Sequence, residues 1–341
     1  MSLRAALFLP VLALLCGCGR YADFALPAPE GSAAAEPAFQ WRARTGAVLE
    51  RGAAGEWDSI DALNPSVVEF GGKLVNLYSG YDGKTWHTGV AESPDGVTWR
   101  KAGRVISPDG ATWEGNYIAA NGSAMVVDGS IVYWYQAGDP PRIGVARSND
   151  GRAWRKEQAP VLRLGPRGSW DERGVADPYV IRRDGRFYLF YLGQDRAHQQ
   201  RLGIARSADG VTWEKLRSNP ILELGAESDF DENGLGEPAV WTSHGRWWML
   251  YTGRDRREYR RIGLAWSKDG VQWQRYRTAP LFTGGEAWNA KVVCDPALLP
   301  GSGGALRMWY GGGDVAHPAE NIHGAIGYAE LSYSPDSEIK R

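Results

Sequence analysis

A chain that repeats itself at a fixed step of nearly sixty residues can fold only as a stack or a ring of equal units. Here aromatic anchors fall at Trp57, Trp113, Trp170, Phe230 and Trp288, in steps of 56, 57, 60 and 58 residues. A Gly-x-Ala element recurs at Gly89, Gly144, Gly203, Gly263 and Gly327. Between anchor and element lies a tyrosine followed closely by glycine: Tyr78/Gly80, Tyr135/Gly138, Tyr191/Gly193, Tyr251/Gly253 and Tyr310/Gly312. There are five copies.

Each copy reads as four short strands. In the third, residues 178–182 lead through Arg183-Asp184-Gly185 to residues 186–191. A polar loop, a strand at 202–207, the turn Ala208-Asp209-Gly210 and a last strand at 213–216 follow. Apolar and aromatic runs of this length punctuated by Asp-Gly signal hairpins rather than helices. Four strands at this period predict an all-β fold, a five-bladed β-propeller. The fifth copy lacks its Asp-Gly turn and Trp strand. Both have a counterpart at the other end, where residues 40–44 match 98–102 and residues 47–52 match 160–165. An N-terminal strand is therefore expected to complete the last blade and leave no open edge.

Ahead of the repeats, Arg4 precedes an apolar run from Ala5 to Leu15, the layout of a secretory signal and too short to span a bilayer. The Leu15-Cys16-Gly17-Cys18 stretch resembles the bacterial lipobox, which makes Cys18 the expected lipidation site and new N-terminus. The expected organisation is a signal peptide at 1–17, a flexible Ala/Pro/Glu-rich tether at 18–38, one propeller domain at 39–335 and a tail at 336–341. The destination is the bacterial cell envelope, held through the lipid alone. Cys294 is then the one thiol left in the mature chain, so no disulfide framework exists. A net charge of −1 with no basic run argues against nucleic acid as a partner. A monomer acting on a neutral ligand, without a cofactor, is expected.

Comparison of the copies with one another separates scaffold from site. Of sixteen tryptophans, nine recur as anchors or outer-strand residues and are assigned to packing. Trp86 sits instead in the polar hairpin of residues 82–87, where an aromatic face could stack on a sugar ring. The informative position lies seven residues after the anchor and before Pro in four copies. It reads Asn64, Asn121 (one residue later), Asp177, Glu237 and Asp295. The spacing holds while the residue type changes. If the first strand of each blade lines the axis, these five side chains ring one mouth of the channel. Asn and Asp suit turns, but Glu does not, and its reach would project into the channel. Crowded carboxylates repel, so one keeps its proton at neutral pH, as a general acid requires.

These motifs resemble the five-bladed propeller glycoside hydrolases: arabinanases and β-xylosidases of family 43, invertases and levansucrases of families 32 and 68, and mannoside phosphorylases of family 130. In family 43 the first, third and fourth blades supply a base Asp, an Asp that tunes pKa and an acid Glu. By position the resemblance implies Asp177 as the tuning residue and Glu237 as the acid. The chain departs in blade one, where Asn64 replaces the base; an amide cannot take a proton from water. Asp61 or Asp295 could do that work, phosphate could replace water, or hydrolysis could be lost. The substrate expected is an oligosaccharide or glycoside. The alternative is a surface lipoprotein that binds glycans without cleaving them. In the loops after each second strand, a recurrent Asp (Asp82, Asp139, Asp195, Asp255, Asp314) reads as a turn former, while Arg254 and His323 vary and are candidate ligand contacts. With no His/Asp cluster at ligand spacing, no metal is expected.

Overall fold

The computed structural model describes residues 21–31, 37–301, 305–317 and 320–335; Cys18 and the signal segment lie outside them. The described chain is all-β but for one 3₁₀ turn, Ala287–Asn289. Two strands come first, β1 (Tyr21–Ala22) and β2 (Pro37–Ala43). Four antiparallel meanders follow. The first holds β3 (Asp61–Phe70), β4 (Lys73–Tyr81), β5 (Trp86–Ser93) and β6 (Arg100–Ile106). The second holds β7 (Ala119–Val127), β8 (Ser130–Ala137), β9 (Arg142–Ser148) and β10 (Arg155–Lys156). In the third are β11 (Gly174–Arg183), β12 (Arg186–Gln194), β13 (Gln200–Ser207) and β14 (Trp213–Leu216). The fourth has β15 (Gly234–Ser243), β16 (Arg246–Arg254), β17 (Arg260–Ser267) and β18 (Trp273–Arg275). The last unit has β19 (Val292–Pro300), β20 (Leu306–Gly313) and β21 (Ala325–Pro335), and its fourth strand is β2, antiparallel to β21 with Trp41 opposite Leu331. The first strands pack against one another in the order β3, β7, β11, β15, β19 and back to β3.

The repeated residues now have physical reasons. Each anchor ring lies flat on the second and third strands of its unit, where a Cβ at Gly80 or Gly89 would come within 2.2 or 2.1 Å of Trp57 and one at Gly193 within 2.1 Å of Trp170. Glycine is what permits the contact. In the second unit Ala137 takes this position, opposite Arg142 on the ladder, and Gly138 belongs to the turn. The acidic residue after each anchor is buried beneath it. Asp58 accepts from the Tyr78 hydroxyl at 2.7 Å and Lys101 at 2.6 Å; Glu114 does so from Tyr135 and Lys156, Asp171 from Tyr191 and Lys215, and Asp231 from Tyr251 and Arg275. In the last unit the neutral Asn289 stands in place of the acid, and Ala43 in place of the cation on the outer strand. Both charges disappear together, because removing one would strand the other in the interior.

The stretch expected to be a flexible tether is, in residues 21–31, bound to the outside of the third and fourth units. β1 adds in parallel to β14, Leu26 N–H donates to Asp269, and Pro27 and Glu30 carbonyls accept from Trp247 and Gly245. Leu26 is buried against Gly270, Phe190 and Trp273. At the corresponding seams of the second and last units, Trp134 and Trp309 reach over to Gly210 and Gly96 of the next unit. Phe190 is shorter than either, and Leu26 fills the difference. Composition suggested a tether because the apolar content is low. Two aromatic residues and one leucine suffice when a groove already exists.

Candidate functional site

One backbone device, used five times, builds the site. At each ring position the ladder between first and second strands slips by a β-bulge: between Leu63 and Ser66, Ala120 and Ser123, Ala176 and Tyr179, Gly236 and Ala239, Cys294 and Ala297. The bulged residues Asn64, Asn121, Asp177, Glu237 and Asp295 all have positive φ, at 49°, 48°, 46°, 49° and 53°. A bulge re-aims a side chain out of the alternation of its strand, which turns these five together. Asn and Asp tolerate this conformation and Glu does not share that preference. Glu237 thus occupies a strained position that an Asn would fill more easily, a pattern found where strain serves a site.

The side chains link the units in sequence. Glu237 accepts the Asp295 N–H at 3.2 Å, and Asp295 accepts the Asn64 N–H at 3.2 Å. Thr252 Oγ1 shares the Asp295 N–H at 3.3 Å. Asn121 exchanges two hydrogen bonds with Ser79, at 2.9 and 3.1 Å, and also bonds the Asp177 carboxyl. Three carboxyl groups from consecutive units therefore crowd one side of the ring, with Glu237 in the middle. Burial, and then the charge of Glu237, push Asp177 up to about 8, against the opposing hydrogen bond from Asn121. Burial and Glu237 also drive Asp295 well above the usual carboxylate range. At neutral pH Asp177 and Asp295 therefore retain protons beside Glu237, a source for acid catalysis.

Above the ring opens a cavity of about 450 Å³, within the range of about 300–1,000 Å³ usual for small-ligand sites. It brings together Asn64, Trp86, Asn121, Asp177, Glu237, Arg254 and Asp295. Below the ring a space of about 50 Å³ continues along the axis. The ring is the floor of the larger space.

Two expected site residues lie elsewhere. Asp61 is fully buried and its oxygens accept N–H groups of Asn321, Ile322 and Gly324 at 2.7–3.0 Å; it clamps the last loop and has no access to a ligand. His323 is paired with Asp314 at 2.7 Å on the surface, outside the cavity wall. Trp86 lines the cavity but is stacked on Tyr81 at 4.7 Å and donates to Glu320 at 3.3 Å, so its face is already covered. The recurrent loop aspartates accept backbone N–H groups of their own turns at Asp82, Asp195 and Asp255, as turn formers should.

Sequence reasoning missed Arg260, which lines the cavity beside Arg254 on the facing strand and whose positive charge acts on Glu237, Cys294 and Asp295. It also missed Tyr117 and Gln200 on the wall. Nothing in the repeat marks them, because the positions that vary among copies are many and few of them face the axis. Among the described residues, Glu237, Cys294 and Asp295 place one donor atom each within 4.8 Å of one another. The Cys294 thiol is buried and pushed far above its ordinary pKa by burial and the adjoining Asp295, and the Arg260 guanidinium already supplies the local positive charge. These features suit a proton-sharing cluster better than a cation site.

Residues 74–220 match the glycosyl hydrolases family 32 N-terminal domain. The chain is 28% identical over 235 residues to an uncharacterised protein of Mycobacterium tuberculosis (strain ATCC 25618 / H37Rv), covering 63% of this chain and 75% of that one. It is 30% identical over 189 residues to the 1,2-beta-oligomannan phosphorylase of Thermoanaerobacter sp. (strain X514), covering 49% of this chain and 62% of the phosphorylase. Among solved structures, one from the GH130 family of mannoside phosphorylases, a study of glycoside hydrolases that target beta-1,2 mannosidic linkages in Candida mannan, superposes with a TM-score of 0.68. Its identity is 17%, over 91% of this chain and 96% of that one. The beta-1,2-mannobiose phosphorylase of Listeria innocua superposes with a TM-score of 0.67 at 11% identity, over 85% and 96%. At these identities the structures speak for the fold alone. In sequence and in fold, the chain resembles the propeller glycoside hydrolases and their phosphorylase relatives.

Proposed function

We propose that this protein is a five-bladed propeller, its ring closed by β2, that cleaves the glycosidic bond of an oligosaccharide in the axial cavity. The observation that carries the reading is the crowding of Asp177, Glu237 and Asp295 on one arc of the cavity floor, where protons are retained at neutral pH. Glu237 delivers to the leaving oxygen, as that oxygen's bond to the anomeric carbon breaks, a proton drawn from the protonated Asp177 and Asp295 beside it, and Asp177 holds Glu237 in position.

The opposite arc supplies no base. Asn64 is an amide, Asp61 is consumed by three backbone N–H groups, and Asp295 lies against Glu237 with its own pKa raised. Two carboxyl groups that bracket a water across a sugar stand about 6.5–9.5 Å apart, whereas oxygens of Glu237 and Asp295 approach within 4.8 Å. A nucleophile that brings its own charge needs no such base. Inorganic phosphate is one, and Arg254 and Arg260 stand on the wall above Glu237 to receive it. We therefore favour phosphorolysis, in which a phosphate oxygen bonds the anomeric carbon as the protonated leaving sugar departs. The similarity to phosphorylases of β-1,2-linked mannosides supports testing that linkage first.

The absent base also favours a second reading, a glycan-binding protein without catalysis. β-1,2-Mannobiose, β-1,2-mannotriose and a panel of other oligosaccharides, each incubated with and without phosphate, separate the two. A sugar 1-phosphate formed by wild type and not by Glu237→Gln supports phosphorolysis. Binding without turnover in both proteins supports the second reading. As to location, the Cys18 lipid anchor is proposed from the sequence motif, and the mass of the mature N-terminal peptide tests it.

A further inference from the structure

The second unit differs from the others by one residue: eight steps separate Trp113 from Asn121, against seven from anchor to ring residue elsewhere. The extra length is taken up in the turn where Gly115 adopts φ +67°. Four residues before each ring position stand Ile60, Tyr117, Arg173, Asn233 and Lys291, and of these Tyr117 alone lines the cavity. It is 41% exposed, one of two large hydrophobic side chains so exposed among the described residues. It makes no hydrogen bond through its hydroxyl and no ring contact with another described residue.

Its position is nonetheless fixed. Trp86 N–H donates to the Tyr117 carbonyl at 2.8 Å, Thr85 Oγ1 donates to the Asn116 carbonyl at 3.2 Å, and Trp86 and Ile118 form a parallel bridge. Next along the wall, Glu320 holds both carboxylate oxygens towards the first unit, accepting from Tyr81 Oη at 3.1 Å and Trp86 Nε1 at 3.3 Å. The rim thus carries an aromatic face with a fixed acceptor on one side, and Gln194, Gln200 and the two arginines on the other. A pyranose presents the same two surfaces, an apolar face of C–H groups and a rim of hydroxyls. A rigid aromatic body with a polar tip takes such a ligand at small entropic cost.

We infer that Tyr117 is the platform of a second sugar subsite, and that the substrate is an oligosaccharide recognised through at least two rings. One ring lies over the carboxylates and the next lies against Tyr117. This rests on the reading of the cavity as a site of glycosidic cleavage, and it places specificity in the loop that the extra residue of the second unit creates. The reaction itself needs only the first ring.

Kinetics of wild type, Tyr117→Ala and Tyr117→Phe with β-1,2-mannobiose and β-1,2-mannotriose, and with β-mannosyl fluoride as a one-ring substrate, test the assignment. Tyr117→Ala should raise KM for the oligosaccharides about tenfold, a change of about 1.4 kcal/mol, and lower kcat/KM for the fluoride by a smaller factor; Tyr117→Phe should behave as wild type on both. Equal KM values for wild type and Tyr117→Ala on the oligosaccharides, or an equal loss on both classes, would overturn the inference and leave the cleavage reading intact. A wild-type protein that neither cleaves nor binds any of the three overturns the cleavage reading on these sugars, and the subsite with it.

Discussion

The Asp295 carboxylate accepts the backbone N–H of Asn64 at 3.2 Å, across 231 residues of sequence. The last unit thereby holds the first at the cavity floor, and the bond occupies the ring carboxyl next to the amide that replaces the base. The same carboxyl takes a hydrogen bond from Cys294 at 3.1 Å, so service as a nucleophile or base would require giving up the bond to Asn64 that joins the last unit to the first.

Replacing Glu237 with Gln should reduce oligosaccharide turnover by about 10²–10⁴-fold, the usual contribution of a positioned acid. The fold should survive, since the amide can still accept the Asp295 N–H. Turnover measured beside the thermal midpoint checks this; unaltered turnover would remove Glu237 from the chemistry.

The raised pKa of Asp177 has a stability consequence. In the unfolded chain the carboxyl loses its proton near pH 4, whereas in the folded chain it keeps it to about 8. Stability from this group is complete below pH 4, declines as pH rises from there, and levels off once pH passes about 8. Asp177→Asn, which cannot ionise, should flatten that decline. Thermal midpoints of both proteins from pH 4 to 9 test it, and parallel curves would refute it.

The buried pair of Lys215 and Asp171, at 2.5 Å, should behave as the missing charges of the last unit suggest. Lys215→Ala alone strands a buried carboxylate and should cost about 3–5 kcal/mol. The double variant Asp171→Asn/Lys215→Ala copies the arrangement of Asn289 and Ala43 and should recover more than half of that loss. A denaturant-based double-mutant cycle reads the coupling directly, and additive losses would show that the pair is not coupled.

Leu26→Ala should cost about 2–5 kcal/mol in the manner of a buried leucine if the strap unfolds only with the rest of the domain, and less if it detaches first. In either case the Leu26 and Gly245 amides, bonded to Asp269 and Glu30, should lose protection from hydrogen exchange. Unchanged protection in the variant would mean that the backbone bonds hold the strap without the side chain.

Much of the architecture was legible because strands alternate and hairpins announce themselves. The Tyr and Gly of each repeat pointed to a common unit, and the match of residues 40–44 to an outer strand anticipated the pairing of β2 with β21. The acid that follows the first four anchors was equally visible, as Trp-Asp, Trp-Glu or Phe-Asp, but its meaning was not. It depends on a tyrosine some twenty residues away and a lysine more than forty away. Asp61 and His323 looked as eligible as Glu237, because a sequence records residue type and not which way a side chain turns.

The sequence alone determined the repeat, its strands, and the five positions at which ring residues stand. Those follow from local chemistry: Asp-Gly turns, glycines under aromatic anchors, and Asn, Asp or Glu at a fixed spacing, before Pro in four of the five copies. Only the tertiary structure decided which of them meet. The bulges at positive φ turn five side chains towards one axis, and burial with crowding sets Asp177 and Asp295 apart from ordinary carboxylates. Through-space distance governs both effects, and residues 231 apart in the chain lie 3.2 Å apart in the fold.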